Sequence, residues 1–168
     1  SSVKDYLCAN GHEDQWTQMQ GYVYGKRMAE ALPFEGVLDF FFQCKELNIP
    51  VCIISHKTAY PYRGPKYDLQ KAAMAWLLQR GFLKTEKTGI SQENIFFEAS
   101  KEAKLKRIEE EEVTVFIDDL PEFLLEEGFP EVDRILFDPK QSKGSVAGLE
   151  IAASWSDIQE RLLATAQA

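Results

Sequence analysis

Residues 113–123 read Val-Thr-Val-Phe-Ile-Asp-Asp-Leu-Pro-Glu-Phe, and this stretch decides the fold. Val113–Ile117 is a short apolar run, broken only by Thr114, that leads straight into the carboxylates of Asp118 and Asp119. Such a run, without sustained polar alternation, fits a strand covered on both faces, as in a parallel sheet. Working outward, Ile49–Ile54 reads the same way and stops at Ser55-His56-Lys57-Thr58. Ile95–Phe97 is a shorter strand, and Arg134–Phe137 a further one ahead of Asp138-Pro139.

Helical patterns separate these runs. Val37, Leu38, Phe40, Phe41, Cys44 and Leu47 recur at helical intervals. A second helix is expected from about Asp68 to Arg80, closed by Gly81. A third follows the N-cap Ser100 and runs to about Glu111, where Glu109–Glu112 reads as a solvated helix end. Phe123–Glu127 makes a short helix, and a last one runs from Ser156 or Asp157 to Ala164 after an extended piece at 153–155. Residues 1–32 look like two or three short helices carrying Tyr6, Trp16, Tyr22 and Tyr24. Alternating strands and helices predict an α/β fold with a doubly wound parallel sheet. In such sheets ligands bind outside the carboxyl ends of the strands.

Composition narrows the function classes. A chain of 168 residues is one domain's length, and 45% hydrophobic content supplies a core. A net charge of −8 leaves no basic stripe for a nucleic-acid backbone. No apolar run reaches the ~20 residues of a membrane span. Cys8, Cys44 and Cys52 form no Cys-x-x-Cys pair, and Cys44 and Cys52 lie in apolar surroundings. Reduced core thiols of that kind suggest a reducing compartment, the cytoplasm. With only His12 and His56 as histidines, a multi-histidine metal centre is excluded, so a metal would be a hard ion on carboxylates.

Three polar groups at strand ends could carry chemistry. Adjacent carboxylates such as Asp118 and Asp119 repel one another at a strand tip, and a cation relieves this; the same pair can equally cap the next helix. Ser55, with the turn's backbone N–H groups, can bind a phosphate oxygen, although serine is also an ordinary turn residue. Lys101 and Lys104 stand in the first turns of the helix after Ile95–Phe97, where a lysine can offset a phosphate dianion or simply face water.

Taken in order, VCIISHKT, SKEAKLKRI and VTVFIDDLPEF resemble motifs II, III and IV of the haloacid dehalogenase superfamily, most of whose members are magnesium-dependent phosphohydrolases. FEGVLDFF precedes them, and Phe34–Pro139 carries the likeness over around two thirds of the chain. The resemblance implies that Ser55, beside His56, binds the transferring phosphoryl group. Lys104, favoured over Lys101 by its Lys-x-x-x-Ile spacing, would offset the charge. Asp118 and Asp119 would hold Mg²⁺. The implied reaction is in-line attack by an aspartate, giving an aspartyl-phosphate that water hydrolyses. The substrate would be a small phosphorylated metabolite.

The family's Asp-x-Asp motif I is missing. Asp138 ends a strand, but its +2 neighbour is Lys140, and Phe34-Glu35-Gly36-Val37-Leu38 lacks both aspartates. In the family the motif I strand lies between those of motifs II and IV, so its loss leaves two apolar edges facing one another, an aggregation hazard. The expectation is therefore a preceding segment of about 25–35 residues ahead of Ser1-Ser2. Residues 1–32 would then be a helical cap on a core of residues 33–168, and the 168-residue chain alone would be inactive. The other reading is a non-catalytic domain of the same fold, binding a phosphorylated ligand or a strand-donating or self-associating protein partner. A phospho-acceptor receiver domain fits less well, because its acidic pair follows the first strand and its lysine comes last.

Overall fold

The polar, aromatic-studded start of the chain folds into α1 (Val3–Ala9) and α2 (Glu13–Gly21), then a π-turn (Tyr22–Lys26) and a 3₁₀ turn (Met28–Glu30). The computed structural model describes residues 3–164, so Ser1-Ser2 lie outside the described residues. This segment sits close on the remainder. A methyl group at Gly21 would collide with Pro61, and one at Gly25 with Tyr67. Trp76 Nε1 donates to Ala31 O at 2.9 Å and the Arg80 guanidinium to Ala29 O at 2.8 Å.

The expected helical spacing produces α3 (Val37–Glu46), whose Val37, Phe40, Phe41 and Cys44 are buried. β1 (Ile53–His56) then starts later than the apolar run predicts. The reason lies at the end of α3. Asn48 adopts φ +57°, and the Ile49 N–H donates back to Cys44 O at 2.8 Å. Pro50 has no N–H to give, so residues 49–52 connect rather than pair. At its other end β1 carries on through Ser55 and His56, which lie in register with Phe97 and Glu98.

α4 (Leu69–Gln79) is capped by Asp68, whose carboxylate accepts the Lys71 N–H at 2.8 Å. α5 (Thr85–Thr88), a short turn without a sequence signal strong enough to predict it, leads to β2 (Ile95–Glu98). α6 (Lys101–Glu110) begins at the expected cap, Ser100 Oγ accepting from Ala103 N at 3.1 Å. β3 (Val115–Asp118), α7 (Pro121–Leu124) and β4 (Asp133–Phe137) follow. β5 (Glu150–Ala152) precedes the extended piece expected at 153–155, because Ser154 instead caps α8 (Trp155–Leu163), accepting from Asp157 N.

Every strand pairing is parallel, yet the strands form two small sheets, β1-β2 and β3-β4-β5. Among the described residues the strands do not join into one doubly wound sheet. The two sheets nevertheless share their cover on both faces. Ile53, Phe97, Val115, Ile117, Ile135 and Phe137 pack in one cluster with α3, α8 and Leu77 of α4. Ile54, Phe96, Phe116 and Leu136 pack in the other with Ile108 of α6 and Phe123 and Leu124 of α7. Strand side chains alternate between the two clusters, as a pleated strand buried on both sides requires.

Candidate functional site

The carboxyl ends of β2 and β3 meet through one ion pair. Lys104 reaches from the first turns of α6 to place Nζ 2.6 Å from Asp118 Oδ2, at the tip of β3. Its side chain is 6% exposed and that of Asp118 11%. The ammonium also lies 3.8 Å from the Phe123 ring centroid and 5.3 Å from that of Phe116. An ammonium has three donors, and Asp118 takes one. The second oxygen, Asp118 Oδ1, accepts the Leu120 N–H at 2.9 Å. The carboxylate therefore bridges a cation and the turn that starts α7.

Asp119 sits beside it and reaches solvent. Partial burial first, and then the charge of Asp118, hold its carboxyl above the ordinary aspartate value. A cation at this tip would relieve both effects. Among the described residues no group of three or more His, Cys, Asp or Glu is arranged to hold a metal ion. Two carboxylates are still enough for magnesium, which commonly keeps several waters and takes the rest of its ligands from a substrate phosphate. The donor set at Asp118 and Asp119 fits that limited role, although Asp118 has both oxygens engaged.

Ser55 lies near the end of β1, and strand polarity puts it at the same edge of the molecule. β1 runs parallel to β2, β2 leads into α6, and α6 delivers Lys104 to the tip of β3. By alternation Ser55 faces the α3 side with Ile53, while His56 faces the α6 side with Ile54. His56 Nε2 stands 3.2 Å from Ala99 O, ahead of the Ser100 cap. Lys101 points away and pairs with Glu126 at 2.8 Å on the surface. Of the two lysines, Lys104 is the one brought to the carboxylates.

A cavity of about 790 Å³ opens beside this edge. Asp118, Asp119 and Leu120 line it together with Tyr24, Arg27 and Met28 of the amino-terminal segment. Phe137, Trp76 and Trp155 add apolar lining. Neither Ser55 nor Lys104 lines it. Of the amino-terminal aromatics, Tyr24 does, whereas Trp16 and Tyr22 do not.

Lys57 carries no functional signal in the sequence. Burial lowers its ammonium below the ordinary lysine value, and Nζ lies 5.0 Å from the Tyr24 ring centroid. Its position two residues beyond Ser55 was visible, but nothing in the sequence separates it from an exposed lysine. Asp138, the other strand-end aspartate, is buried and already used. It accepts from Lys143 N at 2.7 Å and from Ser142 Oγ at 3.2 Å, fixing the 140–148 loop.

No family model, curated protein or solved structure matches this chain.

Proposed function

We propose that this chain binds a small phosphorylated molecule at the carboxyl edge of its strands and is the core of a haloacid dehalogenase-like, magnesium-dependent phosphohydrolase. The buried Lys104–Asp118 pair carries this reading. An ammonium removed from water beside a carboxylate costs several kcal/mol in desolvation, and a surface pair would serve stability as well. Its place also matters. The pair stands at the carboxyl end of β3, and open parallel sheets bind ligands outside the carboxyl ends of their strands.

In this reading Ser55, His56 and the turn N–H groups hold phosphate oxygens, and Lys104 and Lys57 offset their charge. Asp118 and Asp119 hold Mg²⁺, which would supply electrostatic stabilisation of the phosphoryl oxygens. Catalysis by attack on phosphorus needs a further carboxylate. Asp118 is tied to Lys104 and Asp138 is tied to its loop, so the 168 residues alone bind without turnover. The three cysteines are unpaired, which suits a reducing compartment such as the cytoplasm, and no described helix is long and apolar enough to cross a membrane.

Calorimetric titration with inorganic phosphate, with and without MgCl₂, tests the proposal. The expected result is saturable binding that strengthens with Mg²⁺, is lost in Lys104→Met, and loses its Mg²⁺ dependence in Asp119→Asn. The same chain should leave p-nitrophenyl phosphate unhydrolysed. Phosphate binding unaffected by Lys104→Met would remove the basis of the assignment.

A further inference from the structure

Single exposed apolar side chains are ordinary on a protein surface, but a group of them around one concavity marks a binding site. Val23, Tyr24, Leu32, Phe34 and Leu120 are all exposed, and all line the cavity of about 790 Å³ beside the strand ends. They come from separate parts of the chain: the π-turn, the link into α3 and the turn that starts α7. The same lining holds aromatic pairs. Trp76 stacks with Phe82 at 5.4 Å between ring centroids. Phe34 and Phe137 meet edge to face at 4.9 Å, and Phe137 lies 5.6 Å from Trp155.

Polar groups in the lining are few and have a common origin. Arg27 is paired with Glu30. The other charged residues, Asp118, Asp119, Asp138, Lys140 and Lys143, belong to the carboxyl ends of β3 and β4 and the loop after β4. Burial and the Asp118 charge raise the Asp119 carboxyl, and Lys143 lies near enough to oppose them. Ser142 and the Tyr24 phenol are the uncharged hydroxyls, and among the described residues no Asn, Gln, Thr or His lines the cavity. A sugar buried here would leave most of its hydroxyls without partners, at a cost for each. A flat hydrocarbon ring carries no such cost, and aromatic walls favour it.

Two contacts connect this cavity with the phosphate site. Asp118 lines the cavity and pairs with Lys104 at 2.6 Å. Tyr24 also lines it, with its ring centroid 5.0 Å from Nζ of Lys57, two residues beyond Ser55. We propose that the ligand is a phosphate monoester of an aromatic alcohol, with its ring in the cavity beside Trp76, Phe137 and Trp155 and its phosphate at the strand ends. The inference rests on the phosphate reading above and adds the organic part, an aryl group and not a sugar. A volume of about 790 Å³ falls within the roughly 300–1,000 Å³ of small-molecule sites and is far too small for a folded partner.

Calorimetry and the indole N–H resonances of the 168-residue chain test it, with 1-naphthyl phosphate, glucose 6-phosphate, inorganic phosphate and 1-naphthol as probes. 1-Naphthyl phosphate should bind about tenfold or more tighter than inorganic phosphate, because its ring leaves water for apolar walls. Glucose 6-phosphate should gain nothing over inorganic phosphate. Trp76 and Trp155 line the cavity and Trp16 does not, so the first two indole signals should shift with 1-naphthyl phosphate while the third stays. Leu32→Asp alters a side chain that is 76% exposed, so the fold tolerates it, and it should cut the preference for 1-naphthyl phosphate over inorganic phosphate severalfold. Equal affinity for those two, or a larger gain from glucose 6-phosphate, overturns the proposal and leaves the phosphate reading standing. If no phosphate binds while 1-naphthol still shifts Trp76 and Trp155, the phosphate reading fails and the monoester falls with it. Shifts of those indoles with protein concentration alone would give the cavity to a second copy, which also overturns the proposal.

Discussion

Replacing Lys104 with methionine keeps most of the side chain's apolar length but strands the Asp118 carboxylate, which is only 11% exposed. Breaking a buried pair by removing one partner typically costs ~3–5 kcal/mol. Urea unfolding should show a loss of that order. Lys101→Ala is the contrast, because its pair with Glu126 lies in solvent; the unfolding midpoint should stay where it is. Equal effects of the two changes would mean that Lys104 is not buried as described. Cys44 offers a pH test. Burial pushes its thiol up to about 11, so the folded chain prefers the neutral form. That contribution is complete below the ordinary thiol value and is lost as pH rises through about 11. The difference in unfolding free energy between the wild type and Cys44→Ala should therefore shrink by about 2 kcal/mol between pH 8 and pH 11. A constant difference would contradict the burial.

α6 is the element that aims the lysine, and its start is set by Ser100. Ser100→Ala removes a cap worth about 1 kcal/mol, so stability should fall by that amount, read from thermal unfolding. This cap was legible because serine before a helical run has a specific backbone use. So were α3, α4 and the strands β2, β3 and β4, whose apolar runs match one period each. The start of β1 was not legible: hydrophobicity over 49–54 is uniform, and only the backward bond from Ile49 to Cys44 decides where pairing begins. Likewise, α5 and β5 are too short for periodicity to distinguish from loop. At the candidate site, Lys101, Lys104 and the Asp118–Asp119 pair could be named from their places at helix and strand ends, with Lys104 preferred only through the family resemblance; the pairing of Lys104 rather than Lys101 with Asp118 follows from burial against Phe116 and Phe123. Lys57 could not be found, because its meeting with Tyr24 joins residues far apart in the chain.

At the scale of the whole molecule, the described strands form two parallel sheets that share both hydrophobic layers. Lys104, Asp118 and Asp119 at the end of β3 and Ser55 and His56 at the end of β1 are the polar groups of the proposal, and the account rests on their acting as one phosphate site. Backbone amide shifts on titration with inorganic phosphate and MgCl₂ test this most directly. The account predicts saturable shifts confined to Ser55–Thr58, the first turns of α6 and Asp118–Leu120. Shifts confined to the Lys140–Lys143 loop, or none that saturate, would contradict it.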